Sequence, residues 1–318
     1  MHVKWSGVTM SDTTTQPDMS VNIGGLIMKN PVTVASGTFG YGPEYAELVD
    51  LNQLGAMVVK GIMPDSWEGN QTPRLIHTDG GLINAIGLPG PGVEGFIESY
   101  VPFLRQYDVP VIVNVWGRSL EEYGAVAERL SDVEGVHALE LNISCPNIKK
   151  GGNQFGTDAS MTADLISLVR SRTKLPIIPK LAPNVSDIKL FARVCEESGA
   201  DAISMINSMP AMAIDIETRR PILANKVGGL TGPAVHAIAV KLIWEAASVI
   251  TIPIIGMGGI MNGDDAIEMM IAGASAVAVG TANFIDPSTP VRAIKEIQDY
   301  LIRHNYSSAK DLVGSVVI

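Results

Sequence analysis

The sequence predicts an α/β fold, a single (β/α)8 TIM barrel with long loops over the C-terminal face of its strands. Three observations carry this expectation: eight short runs rich in β-branched residues, segments of helical period between them, and polar residues or glycine at the run ends. The 318 residues are 46% hydrophobic and 18% charged, which supplies one large core and excludes a disordered chain.

The strand-like runs cover residues 31–36, 56–60, 110–115, 138–142, 177–181, 202–207, 253–257 and 276–280. Helical period marks 119–130, 160–172, 186–198, 234–248, 263–272 and 290–303. Ser119, Ser186 and Asn262 each precede acidic residues and are expected to start helices, while the SGAD turn at 198–201 is expected to end one. The runs close on Ser36 and Gly37, Lys60 and Gly61, Asn114, Asn142, Lys180, Asn207, Gly258 and Gly259, and Gly280 and Thr281. In such a barrel the strand ends surround the active site, so polar strand ends point to a site there. Two insertions, about 61–95 and 208–233, are rich in Gly, Pro and Asn and are expected to rise over the same face.

Charge and cysteine content narrow the chemistry. Lys plus Arg total 23 against 33 Asp plus Glu, a formal charge of −10 that disfavours nucleic acid as a partner. Two cysteines, Cys145 and Cys195, are too few for an iron–sulfur cluster or a four-thiolate zinc site, so no metal is expected, and a reducing cytoplasm fits. No apolar run is long enough for a membrane span, and residues 1–18 read as a loose N-terminal tail without a signal peptide, ahead of a domain over 19–318.

Several motifs bear on the site. The segment PIIGMGGIMNGDDA (253–266) is a strand, a glycine turn and a helix start; with AVAVGTANF (276–284) it forms a candidate cradle for a mononucleotide phosphate. Met261 stands where the dinucleotide fingerprint needs its third glycine. Lys60 and Lys180 end strands two and five, so both ammonium groups are expected in the barrel mouth, where an anionic partner would suit them. Cys145 lies in a loop between asparagines and is a candidate proton acceptor, whereas Cys195 falls in a helical stretch and reads as packing. Asn84, Asn142, Asn147 and Asn207 offer amides to a planar ligand with alternating donors and acceptors.

The segments SGTFGYG (36–42), GNQTPR (69–74), NAIGL (84–88), ELNISCPN (140–147), GGNQFGTD (151–158) and the 213–234 and 254–284 stretches resemble class 1 dihydroorotate dehydrogenases. More specifically they resemble the catalytic subunit of the class 1B, NAD-linked enzymes, from about Met19 to the C-terminus. The resemblance implies FMN in the barrel mouth and oxidation of dihydroorotate to orotate in pyrimidine biosynthesis, with Cys145 as general base and Lys60 between flavin and substrate. It implies substrate contacts from Lys60, Asn84, Ile86, Gly87, Leu88, Asn142, Asn147, Asn207 and Ser208. For FMN it implies Ser36, Gly37, Lys60, Asn114, Asn142, Lys180, Ile206, Gly232, Gly258, Gly259, Gly280 and Thr281. It also implies a homodimer joined to an electron-transfer subunit carrying FAD and a 2Fe-2S cluster, as a heterotetramer. The chain departs from the class 1B pattern at Pro89 and Gly90 after NAIGL, at Pro210 and Ala211, and at His77, positions that bear on the substrate lid. Alternatives on the same residues are a fumarate-using class 1A enzyme, a dehydrogenase of a non-carboxylated dihydropyrimidine, and a silent barrel scaffold.

Overall fold

The computed structural model describes residues 16–143 and 155–318. Eight parallel strands form the central sheet: β1 (Val32–Val34), β2 (Met57–Ile62), β3 (Val111–Val115), β4 (Ala138–Leu141), β5 (Ile177–Leu181), β6 (Ile203–Met205), β7 (Ile254–Met257) and β8 (Ala276–Val279). Their order is β1-β8-β7-β6-β5-β4-β3-β2. The two ends meet: the Gly55 N–H donates to the Val32 carbonyl at 2.9 Å and the Thr33 hydroxyl to the Ala56 carbonyl at 2.7 Å, which closes the ring. The (β/α)8 barrel expected from the runs is therefore the fold.

Each strand is followed by a helix: α1 (Pro43–Ala46), α2 (Gly92–Ser99), α3 (Leu120–Leu130), α4 (Ala159–Arg172), α5 (Ile188–Glu197), α6 (His236–Ala247), α7 (Gly263–Ala272) and α8 (Thr289–Arg303). Ser119 accepts from the Glu122 N–H and Asn262 from the Asp265 N–H, so both cap as expected. The cap of α5 is Asp187 rather than Ser186, because its carboxylate reaches both the Lys189 and Leu190 amides. Gly199, at φ +96, ends that helix and sends the chain into β6.

Strand alternation sorts each run into two faces. Val59, Val113, Leu139, Leu141, Ile177, Ile203, Val277 and Val279 face outward into the main core shared with the helices. Val58, Ile112, Ala138, Ile178, Ala202, Ile255, Ala276 and Ala278 face inward and fill the barrel. That inner core is sealed at the bottom by an antiparallel hairpin, Val21–Ile23 with Leu26–Met28, whose Val21, Ile23, Leu26 and Met28 join the same cluster. Below the hairpin strands the chain is tied down as well, since Asp18 bridges to Ser308 and accepts from the Ala309 N–H at 2.9 Å.

The two insertions do not lie over the mouth as separate loops. They interleave into one antiparallel sheet of Met209–Ala211, Gly228–Thr231, Gly81–Asn84 and Leu75–Thr78. The central pairing sets Gly229 opposite Asn84 and Leu230 opposite Ile83, while Ile83, Ala85 and Leu223 form a small core of their own.

Candidate active site

Following the inward face of the strands upward leads from apolar side chains to polar ones. Two residues above Ile112 stands Asn114, above Ala138 stands Glu140, above Ile178 stands Lys180, above Ala202 stands Ser204, and above Val58 stands Lys60. Strand periodicity thus delivers five polar groups to one end of the barrel. β2 continues past Lys60 to Ile62, with its register to β3 shifting between Val59 and Ile62; Lys60 is therefore not the strand end that the run suggested, although its N–H still turns to the Gly40 carbonyl.

Glu140 organises this layer. Its carboxylate is 1% exposed and accepts from Asn114 Nδ2 at 2.6 Å and from Ser204 Oγ at 2.8 Å, with Lys180 Nζ 3.6 Å away. Lys180, 5% exposed, donates in turn to Ser36 Oγ at 3.2 Å. A buried carboxylate needs this many donors to offset the loss of its hydration. The expectation had placed Lys180, Ser36 and Asn114 at the site but assigned nothing to Glu140 or Ser204. The signal was present in the alternation Ala138, Glu140, Asn142, which puts the carboxylate on the inner face. Asn114 Oδ1 is buried and has no hydrogen-bond partner among the described residues, so this layer offers an acceptor to a group in the mouth.

Around this layer the asparagines converge in part. Asn207 Nδ2 donates to Asn142 Oδ1 at 3.3 Å, and Asn207 Oδ1 accepts from the Ser208 N–H at 2.8 Å. The Asn142 carbonyl accepts from Tyr123 OH at 2.7 Å. Asn84 belongs to the overlying sheet and donates to the Gly229 carbonyl at 3.3 Å. Lys60 is half-buried with its ammonium 6.0 Å from the Tyr41 ring centre; burial lowers its pKa, opposed by the Glu44 carboxylate and reinforced by the Arg74 guanidinium. Cys145 and Asn147 lie outside the described residues. Cys195 is fully buried on α5, where burial pushes its thiol pKa up.

Residues 85–88 form a second feature. The carbonyls of Ala85, Ile86 and Gly87 are all taken from outside, by Asn70 Nδ2 at 3.0 Å, the Asn70 N–H at 3.0 Å and Trp67 Nε1 at 2.9 Å. A trans peptide sets its N–H opposite its carbonyl, so the amides of Ile86, Gly87 and Leu88 turn the other way, and none donates to a described residue. Gly87 and Leu88 both have positive φ, +80 and +54, and a Cβ at position 87 would lie 2.5 Å from the Asn70 side chain. Three unpaired amides in a tight left-handed turn make an anion-binding concavity. In the strap that builds it, Asn70 belongs to the GNQTPR segment (69–74), while Trp67 falls in none of the motifs the sequence offered.

The glycine turns expected to cradle a phosphate lie close to one another, with one change of place. Around the start of α7 most amides are already taken: Met261 N–H goes to Asp265, Gly263 N–H to Glu296 and Asp265 N–H to Asn262. This helix start is already engaged by the carboxylates of Asp265 and Glu296, which disfavours an added anion there. The open amides lie outside this helix, at Gly259, Ile260 and Gly280, which donate to no described residue. The three turns sit close together: a Cβ on Gly259 (φ +71) would lie 2.8 Å from the Gly232 carbonyl, and one on Gly232 3.5 Å from Thr281 Cγ2. Ile206 packs over Gly258, and His236 Nδ1 lies 2.9 Å from the Gly258 carbonyl. Bare backbone at three converging strand ends suits a phosphate.

A closed barrel with cationic, amide and glycine groups assembled at the C-terminal ends of its strands defines an enzyme of the (β/α)8 class that handles a small anionic ligand. A sequence profile described as dihydroorotate dehydrogenase matches residues 18–301, and the chain belongs to that family. It is similar to proteins named "Dihydroorotate dehydrogenase B (NAD(+)), catalytic subunit" in three bacteria. That of Citrifermentans bemidjiense is 50% identical over 301 residues, spanning 95% of this chain and 99% of the relative. That of Alkaliphilus metalliredigens is 51% identical over 302 residues, spanning 95% and 100%. That of Geobacter sulfurreducens is 50% identical over 303 residues, spanning 95% and 99%.

Proposed function

We propose that this chain oxidises dihydroorotate to orotate, as the FMN-binding catalytic subunit of an NAD-linked assembly serving pyrimidine biosynthesis. The observation that carries the reading is the pairing, at one barrel mouth, of a glycine cradle with the buried Lys180, Glu140 and Asn114 layer. The cradle suits a mononucleotide phosphate, and the unpartnered Asn114 Oδ1 suits the N–H of a planar ring, so the residues fit FMN. Bound there, FMN would accept the hydride removed from the substrate. Ser36, Gly37, Ile206, Gly232, Gly258, Gly259, Gly280 and Thr281 would hold it, and Lys180 would place a positive charge beside the ring edge.

On the substrate side, Lys60 and the amides of Ile86, Gly87 and Leu88 would bind the carboxylate. Asn84, Asn142, Asn147, Asn207 and Ser208 would bind the ring amides. Cys145 would take a proton from ring carbon, a role for which a loop cysteine is suited and the buried Cys195 is not.

The electron route follows from what the sequence omits. The chain has no dinucleotide fingerprint and only two cysteines, so reaction with NAD⁺ would run through a second subunit carrying FAD and a 2Fe-2S cluster. A homodimer of this chain with two such subunits would form the heterotetramer, in the cytoplasm. No helix among the described residues is long and apolar enough to cross a membrane. The test is to purify the chain alone, release the flavin with acid and identify it, then add dihydroorotate anaerobically. FMN that bleaches on addition supports the reading. FAD as the only flavin, or a spectrum unmoved by dihydroorotate, refutes it; efficient fumarate reduction by the single chain would move it to the class 1A activity.

A further inference from the structure

The strap that shapes the 85–88 turn is itself held by a cation. The Arg118 guanidinium lies 5.0 Å from the centre of the Trp67 ring and 6.0 Å from that of Trp116. Trp67 in turn donates from Nε1 to the Gly87 carbonyl and pairs its backbone with Gly90 in both directions, at 2.9 and 2.8 Å. Arg118 follows β3 on the mouth side and is half-buried. No carboxylate comes within 4.0 Å of its guanidinium among the described residues, whereas Arg105, Arg129, Arg170, Arg172 and Arg292 are ion-paired. The carboxylate of Glu122 on α3 accepts from the Arg118 backbone N–H and does not neutralise the side chain. At the other end of the same strap's sequence, the Arg74 side chain donates to the carbonyls of Glu68 and Asn70 and to no other described residue. Two arginines without carboxylate partners among the described residues thus hold the strap that shapes this turn, in a protein of net charge −10.

We propose that Arg118 is a specificity-determining residue: stacked on Trp67, its charge selects carboxylate-bearing substrates at the Ile86–Gly87–Leu88 amides. This deepens the dihydroorotate reading and rests on it. A guanidinium suits the place because it stacks on an indole face while remaining charged, and being less hydrated than an ammonium it loses less on partial burial. It acts through Trp67 and touches no reacting atom, so its effect is electrostatic and of the modest size expected for separated charges under partial screening.

The experiment titrates the flavin spectrum of the holoenzyme with orotate at low and at physiological salt, for the unaltered protein, Arg118→Gln and Arg118→Lys, with steady-state kinetics on dihydroorotate beside it. Arg118→Gln should raise the orotate Kd and the dihydroorotate KM about three- to tenfold, leave kcat within about twofold, and flatten the dependence on salt. Arg118→Lys should recover most of the loss. An unchanged Kd in Arg118→Gln overturns the proposal, and so does an Arg118→Lys protein as weak as the glutamine variant, because packing rather than charge would then be at work. If the unaltered holoenzyme binds no orotate, it is the underlying substrate reading that fails.

Discussion

Glu140→Gln removes one negative charge from the layer beneath the candidate flavin site while keeping the shape of the side chain. At 3.6 Å from Lys180 Nζ, the Coulomb attraction lost is about 4–5 kcal/mol at an effective dielectric constant of about 20. The desolvation of a carboxylate that is 1% exposed offsets part of this, but Lys180 stays buried and loses its counter-charge. The amide also cannot serve both remaining donors as well, since one of its two ends now presents hydrogens towards Asn114 or Ser204. A net loss of about 3 kcal/mol follows. Lys180→Met alone strands the carboxylate and is expected to cost a similar amount. The double variant Glu140→Gln with Lys180→Met should cost less than the two together by at least about 1 kcal/mol, because each single change already removes the shared interaction. Urea denaturation of all four proteins, followed by fluorescence and by circular dichroism, measures this. Strictly additive costs, or a Glu140→Gln protein within about 0.5 kcal/mol of the unaltered one, would refute the view that the carboxylate anchors Lys180.

Three further outcomes are expected. Burial lowers the Lys60 pKa, so orotate affinity should fall as pH rises, beginning below the range of an exposed lysine because the ammonium is the binding form; Lys60→Met should weaken binding and abolish that limb of the profile. Cys195 should react with a thiol reagent only after denaturation, since it is fully buried with its pKa pushed up; mass spectrometry of peptides labelled before and after unfolding decides, and labelling of Cys195 in the native protein would refute it. Gly259→Ala should weaken flavin retention about 10- to 100-fold, because a residue at φ +71 with its Cβ 2.8 Å from the Gly232 carbonyl must shift one wall of the cradle; equilibrium dialysis with FMN reads it, and unchanged retention would move the phosphate elsewhere.

The architecture was legible because it is written in local periods. Eight short β-branched runs separated by segments of period 3.6 admit few arrangements other than a closed barrel, and the polar residues at the run ends followed from the same count. Asn114, Lys180, Gly258 and Gly280 could be assigned to the mouth for that reason. Tertiary structure alone decided the rest, because it depends on which distant segments pair and in what register. Glu140 reads as one acidic residue in a strand until β3, β5 and β6 bring Asn114, Lys180 and Ser204 around it. The insertions look like two independent lids until residues 145 positions apart, Asn84 and Gly229, pair in one sheet. The α7 start looks like an anion site until Glu296 and Asp265 fill it, and the turn at 85–88 becomes one only when Trp67 and Asn70 take its carbonyls. Periodicity is a property of neighbours along the chain and survives in the sequence; a hydrogen bond already spent is a property of the folded surroundings and does not.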